Sequence, residues 1–271
     1  MRLSELGELG LLAELEQRGL AQRIENDAAV VAGLVVTQDA LVEGVHFRLD
    51  WLDFRELGYR AAAVNLSDLA ASGAEPLGLI VSLAASGETD LEQVVELYEG
   101  IAETGVPVVG GDTSEADRLY LSVTALGRSA RVPGRAGARP GDLLVVTGPL
   151  GAAGAAFRDR RLVRPPLRLA EGRRLARTAH AMLDVSDGLA VDARRLAERS
   201  ACRVVIELGQ VPLSPGAELS DLGFGEDYEL LAAVPDADGF HEIGRCEDGE
   251  GVELLLRGEP HELPGFIHFG R

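Results

Sequence analysis

From Arg128 to Gly141 the apolar pattern of this 271-residue chain lapses into glycine, proline and arginine. Such a stretch reads as a connection between two halves, set here at 1–130 and 131–271. On both sides of it, β-rich runs alternate with helical patterns. That alternation restricts the fold class to α/β, with α+β mixed sheets, built as two related domains. With 46% hydrophobic residues, each half has enough apolar side chain for a core of its own.

In the first half, Leu3, Leu6, Leu9, Leu12, Leu15 and Leu20 recur at helical spacing and predict a helix over 3–23. The runs 28–32 and 34–37 read as strands joined at Gly33, with Gln38 and Asp39 closing the second. His46 falls near the end of a short mixed stretch. A helix is expected over 54–72, a strand over 77–84 and a helix over 90–104. A strand over 106–109 should end in Gly110-Gly-Asp112, and another should span 119–126. The second half opens with a strand over 142–147 and a glycine-rich turn, 148–154. A mainly helical stretch follows over 167–182, then a helix over 189–200 and a strand over 203–208. The segment 223–231 leads into a strand that runs through Val234, and short strands and turns follow.

The formal charge of −18 argues against nucleic acid as a partner, because a phosphate backbone demands a basic footprint. All 26 basic residues are arginine. Without lysine there is no Walker-A loop, no Schiff base and no kinase-fold lysine. A protein of this composition that handles phosphates must use metals, backbone amides and arginine. No apolar run reaches the roughly 18 residues of a membrane span. The acidic opening residues do not resemble a signal peptide, so the expected location is cytoplasmic. Cys202 and Cys246 form no C-x-x-C pattern and are expected to be reduced structural thiols. No Gly-x-Ser-x-Gly elbow marks a serine hydrolase.

Chemistry concentrates in aspartates beside hydroxyls. Asp184-Val-Ser-Asp187-Gly places two carboxylates and a hydroxyl where a strand stops and a helix starts. One of them would suffice as an N-cap. Crowded carboxylates repel unless a cation lies between them, and hard cations prefer oxygen. Asp27, Asp39, Asp68 and Asp112 in the first half add carboxylates at expected element ends or, for Asp68, on an apolar helix face. Thr37, Ser67, Thr113 and Ser186 stand beside them. This pattern fits a site for several Mg²⁺ ions. The turn 148–154 offers backbone amides to an anion at a helix N-terminus, or is simply a tight strand-to-helix turn. The eight arginines of 158–177 read as a solvated face from which one or two side chains reach a phosphate.

Seven segments, in order, carry a family likeness: Asn26–Val30, Thr37–Phe47, Ala63–Ala74, Gly110–Thr113, Arg139–Asp142, Leu183–Gly188 and Gly225–Leu230. Together they resemble the thiamine-monophosphate kinase family, within the superfamily of aminoimidazole ribonucleotide synthetase and selenophosphate synthetase. The resemblance implies that superfamily's two-domain fold and a homodimer whose N-terminal halves pair their sheets. It implies ATP-dependent phosphorylation of thiamine monophosphate to thiamine diphosphate, with several Mg²⁺ ions. The implied metal ligands are Asp27, Thr37, Gln38, Asp39, Asp68, Asp112, Asp184 and Asp187. Gly111, Arg135 and Ser186 would contact ATP, and His46 and Glu226 the thiamine phosphate. Three positions depart from the family pattern. Asn26 replaces a carboxylate, Gln38 a small hydroxyl residue, and Leu263 a ring-binding aromatic, for which Phe266 is the nearest substitute. The alternatives are another ATP-using enzyme of the superfamily, or a non-catalytic binder of nucleotide and thiamine phosphate.

Overall fold

The computed structural model describes residues 3–21 and 26–263. Phe266, expected at the substrate, lies outside the described residues. Two sheets organise the chain. The first contains β1 (Ala29–Val31), β2 (Leu34–Val42), β3 (Glu75–Ala85), β4 (Val108–Glu115) and β5 (Tyr120–Arg128), in the order β1-β2-β5-β3-β4. All neighbours are antiparallel except β3 and β4. The second contains β6 (Leu143–Val146), β7 (Ala181–Asp184), β8 (Arg203–Glu207), β9 (Leu230–Val234), β10 (His241–Glu247), β11 (Gly251–Leu256) and β12 (Glu259–His261), in the order β12-β11-β8-β10-β6-β9-β7. There only β8 and β11 run parallel.

The helices are α1 (Leu3–Gln17), α2 (Phe54–Ala71), α3 (Leu91–Ala102), α4 (Ala152–Arg158), α5 (Leu169–Leu175) and α6 (Leu189–Ser200). α2 is the central one. Asp53 caps it by accepting the Glu56 N–H at 2.8 Å. Apolar residues then surround most of its circumference, and Leu57, Ala61, Ala62, Leu66, Leu69 and Ala70 are all buried. A helix apolar on several sides must be covered on several sides. One side lies on β2 and β5, another on α3, and its C-terminal turns meet α5 and β7 of the second half. The α2–α3 approach depends on Gly58 and Gly100. A Cβ on Gly58 would sit 1.8 Å from the Leu97 carbonyl oxygen, and one on Gly100 1.9 Å from that of Arg55.

Each half has its own core. Leu57, Leu66, Leu79, Leu97, Ile101 and Leu121 belong to the first, and Leu144, Leu183, Leu189, Leu196, Ile206 and Ile243 to the second. A third cluster forms a seam: Ala70 and Ala71 of α2 pack with Val145, Leu175, Met182 and Leu230. Truncating a buried leucine of this kind to alanine costs about 2–5 kcal/mol. The seam therefore ties α2 to β6, β7 and β9, and so sets where α2's polar residues meet the second half.

Several elements differ from expectation. α1 ends at Gln17 and breaks at Gly7, whose φ is 71°. β2 does not stop at Asp39 but runs to Val42, since Leu41 continues the buried alternation of Val35 and Thr37. β4 likewise extends through Asp112. The stretch 167–182 holds only the two-turn α5 before the chain becomes β7. The arginine-rich stretch is not one solvated helix face. Arg164 pairs with Glu56 and Glu103, and Arg168 with Glu229.

Candidate active site

The α2 seam brings three aspartates to one point. Asp27 comes from the segment before β1, Asp68 from the last turn of α2, and Asp184 from the end of β7. One carboxylate oxygen from each lies within 4.8 Å of the others. Two of these residues are in the first half and one in the second, so the cluster exists only when the halves meet. Hydroxyls complete it: Ser67 donates to Asp184 Oδ2 at 2.5 Å, and Thr37 donates to Asp68 Oδ2. An all-oxygen set of carboxylates and hydroxyls suits a hard divalent cation such as Mg²⁺.

The electrostatics point the same way. Burial, followed by the charges of Asp39, Asp184 and Asp27, pushes the Asp68 carboxyl well above the ordinary carboxylate range. Burial and the charge of Asp27 do the same to Asp184, against the Ser67 hydrogen bond. Carboxylates so placed destabilise one another, and a bound dication reverses that cost. A guanidinium already meets this cluster, that of Arg135. Its Nε and Nη2 donate to Asp27 Oδ1 at 3.0 and 2.5 Å. Asn26, the amide replacing a family carboxylate, accepts the Arg135 backbone N–H at 2.9 Å. That residue is used to hold Arg135.

β2 sorts its side chains by strand alternation. Thr37 and Asp39 face α2, where the Asp39 N–H donates to the buried Asn65 Oδ1 at 2.9 Å. Gln38 faces the other way, donating to Ser122 Oγ at 3.0 Å and accepting from Thr124 Oγ1 at 3.1 Å. Its amide is committed to β5, so a metal ligand from Gln38 would be its backbone carbonyl.

Asp187 and Ser186 are held by a residue the sequence reading did not single out. Asp192, in the first turn of α6, accepts both their backbone N–H groups through Oδ2 at 3.0 and 2.9 Å. Arg195 donates to Asp192 Oδ1 at 2.8 Å and pairs with Asp187 at 2.5 Å. The only sequence signal was the i, i+3 spacing of Asp192 and Arg195. The loop is also fastened to the segment 223–229. Glu226 N–H donates to Ser186 O at 2.8 Å, and Tyr228 N–H to Val185 O at 2.9 Å. Gly225 is required here: its φ is 84°, and a Cβ would lie 2.3 Å from Ser186 O. Glu226 and Tyr228 themselves adopt φ of 58° and 53°, unusual for residues with side chains. Strain of this kind concentrates at functional sites. The buried Arg60 of α2 pairs with Glu226 Oε1 at 2.5 Å and lies 5.8 Å from the Tyr228 ring.

Most of these groups meet in one cavity of about 1640 Å³; Arg60, Asn65, Ser67 and Asp192 stand behind its lining. Of the expected residues, it gathers Asp27, Thr37, Gln38, Asp39, His46, Asp68, Arg135, Asp184, Ser186, Asp187 and Glu226. His46 Nδ1 accepts the Val42 N–H at 3.0 Å, which leaves the ring proton on Nε2. Gly111 and Asp112 are not brought in. They lie on β4, an exposed edge strand three positions from β2 in the sheet order. At nearly 5 Å per strand, that is about 14 Å away. The turn 148–154 does not present an open anion site either. The chain's own Asp227 fills it, accepting the Gly151 and Ala153 N–H groups at 2.8 and 3.5 Å.

Known proteins are similar to this chain over both halves. Residues 25–129 match the family model "AIR synthase related protein, N-terminal domain", and 139–254 match "AIR synthase related protein, C-terminal domain". The fold and its acidic inter-half cavity thus define an AIR synthase-related protein. Among its relatives, the thiamine-monophosphate kinase of Aquifex aeolicus is 32% identical, over 99% of this chain and all of its own length. That of Methanopyrus kandleri is 36% identical over 85% of each chain. The structure of AaThiL complexed with AMPPCP and TMP superposes with a TM-score of 0.90, at 33% identity over 99% of both chains. The chain belongs to the thiamine-monophosphate kinase family.

Proposed function

We propose that this chain transfers the γ-phosphoryl group of ATP to thiamine monophosphate, forming thiamine diphosphate and ADP. The observation that carries this is the convergence of Asp27, Asp68 and Asp184 within a cavity that also holds His46 and Glu226. Donor and acceptor are both phosphates and repel each other. A unit-charge pair at about 4 Å costs roughly 1 kcal/mol in water and about 4 at an effective dielectric near 20. Mg²⁺ bound at these aspartates would supply the neutralising charge. The ligands we propose are Asp27, Thr37, Asp39, Asp68, Asp184 and Asp187, with Gln38 through its backbone.

The chain's own groups position the reactants. Arg135, released from Asp27, and Ser186 contact ATP. His46 donates from Nε2 to the acceptor phosphate, and Glu226, oriented by Arg60, meets the thiamine portion. The acceptor phosphate is already largely ionised near neutral pH, so no general base is required. Catalysis is by alignment and charge, without a covalent phosphoenzyme.

We further propose a homodimer in which the first-half sheets pair. β4 is exposed along its whole length, with Val109 60% exposed. Pairing of these sheets is the arrangement in which Gly111 and Asp112 would serve a nucleotide–metal site. The two halves correspond to domains 1–130 and 131–271. The setting is the cytoplasm; no helix among the described residues is long and apolar enough to cross a membrane. Phosphorus NMR of protein, Mg·ATP and thiamine monophosphate tests the reaction. The expected products are the α- and β-phosphate signals of thiamine diphosphate together with ADP. AMP with inorganic phosphate would mean another chemistry of the superfamily, and tight binding without ADP would mean a binder.

A further inference from the structure

Part of the cavity lining is aromatic. Trp51 follows the His46 segment, Phe157 closes the last turn of α4, and Phe224 precedes Gly225 and Glu226. All three line the cavity. The Phe157 ring sits between the other two. It meets Trp51 edge-on, with centroids 5.4 Å apart at 72°, and Phe224 at 4.8 Å and 40°. Phe157 is nonetheless 45% exposed. Rings buried on both flanks and bare toward a cavity form a wall, not a core. By contrast Leu263, which stands at the family's ring-binding position, packs against the second core and is absent from the cavity lining.

The wall's neighbours fix what kind of group it suits. Glu226, paired with Arg60, and His46, an imidazole N–H donor, line the same cavity as the rings. The Arg48 guanidinium is 5.6 Å from the Trp51 ring, so one cation already attends that indole. A flat cationic heterocycle would gain dispersion and charge–quadrupole attraction on the Phe157 face, in the cavity that Glu226 also lines.

We propose that Phe157, flanked by Trp51 and Phe224, is the subsite in this chain for the planar heteroaromatic end of the acceptor, and so determines acceptor specificity. This rests on the thiamine-monophosphate reading above. The pyrimidine and thiazolium rings lie against the aromatic wall, and the phosphate extends toward His46 and the aspartates.

Trp51 is the only tryptophan in the chain and reports the subsite directly. Thiamine monophosphate titrated into the full-length protein should change Trp51 emission without ATP, whereas inorganic phosphate should not. Phe157→Leu keeps an apolar side chain but removes the π face, and Phe157→Ala removes both. Both variants should weaken the fluorescence-derived Kd and raise the acceptor KM by about 10-fold. The KM for ATP and the melting curve should stay those of wild type. Phe157→Tyr should restore binding. If wild type forms thiamine diphosphate while Phe157→Ala and Phe157→Leu bind and use thiamine monophosphate as wild type does, the subsite is elsewhere. If wild type neither binds nor phosphorylates thiamine monophosphate, the functional reading itself fails, and this assignment with it.

Discussion

The acidic and aromatic parts of the cavity are built on opposite principles. In the acidic part, Asp27, Asp68 and Asp184 come from three elements in two halves, and each carboxylate is engaged by an arginine or a hydroxyl. In the aromatic part, Trp51, Phe157 and Phe224 meet only through ring contacts. The acidic part stores repulsion that a cation relieves; the aromatic part stores exposed apolar surface that a ligand covers. Coulomb energy at short range in a poorly solvated site is large and depends steeply on position. Dispersion between rings is small per contact and tolerant of shape. Changes in the acidic part should therefore cost activity far more than stability, and changes in the aromatic part should appear as affinity.

Asp184→Asn is the strongest test of that contrast. The amide still accepts the Ser67 hydroxyl hydrogen but removes one of the crowded charges. Turnover should fall on the order of 10³-fold, with the melting temperature unchanged or raised. Wild-type turnover, or loss of folding with loss of activity, would place Asp184 in the scaffold instead. Asp192→Ala comes next. It leaves the Ser186 and Asp187 N–H groups without their acceptor, so steady-state kinetics should show a 10–100-fold loss. Because Asp192 is buried, denaturant titration should also show about 1–3 kcal/mol of lost stability. An unchanged kcat would mean the 184–188 loop holds its shape without it. The Phe157 variants, with about a 10-fold effect confined to the acceptor, are the counterpart in the aromatic part.

The smallest effect on activity concerns Asp227, a buried carboxylate adjacent to Glu226 but partnered by backbone amides. Burial raises its pKa from 3.8 to about 6, against the Gly151 and Ala153 hydrogen bonds. The folded state therefore keeps a proton that the unfolded state has released between those values. Stability on this account falls as pH rises through that window, by up to about 3 kcal/mol, and is level above it. Asp227→Asn should flatten that slope in thermal melts at pH 4–7 without loss of turnover. An identical slope in wild type and variant would remove Asp227 as its source.

The acidic part was largely legible in the chain because its residues carry local marks. Asp184-Val-Ser-Asp187 is more carboxylate than a cap uses, and Asp68 interrupts an apolar helix face where it demands a partner. The elements themselves were legible where apolar period and caps agree, as in α2 and α3, or where the period alone is strong, as in α6. They were missed where a polar residue was taken for a boundary. Asp39 and Asp112 lie inside β2 and β4, because in a strand a functional residue takes one alternate position without ending the ladder. The turn 148–154 had the composition of an anion cradle, but its anion is Asp227, 76 residues from Gly151. The role of Arg60 had no local signature and that of Asp192 only its i, i+3 spacing with Arg195, since both act through partners whose position depends on the assembled loops.

From the sequence alone, this chain's class was determined. Its α/β alternation, the break near Arg128–Gly141, its lack of lysine and its recurring aspartates are properties of composition and spacing. Those properties govern local conformation and the kind of chemistry available. The tertiary structure decided which of those residues meet. Packing of α2 against both halves placed Asp68 and Ser67 beside Asp184, while sheet order kept Asp112 at the far edge. It also left Leu263 in the core and brought Trp51, Phe157 and Phe224 together. Contacts between residues more than 100 positions apart, such as Ser67 with Asp184 and Asn26 with Arg135, depend on long-range packing that no local window of sequence carries.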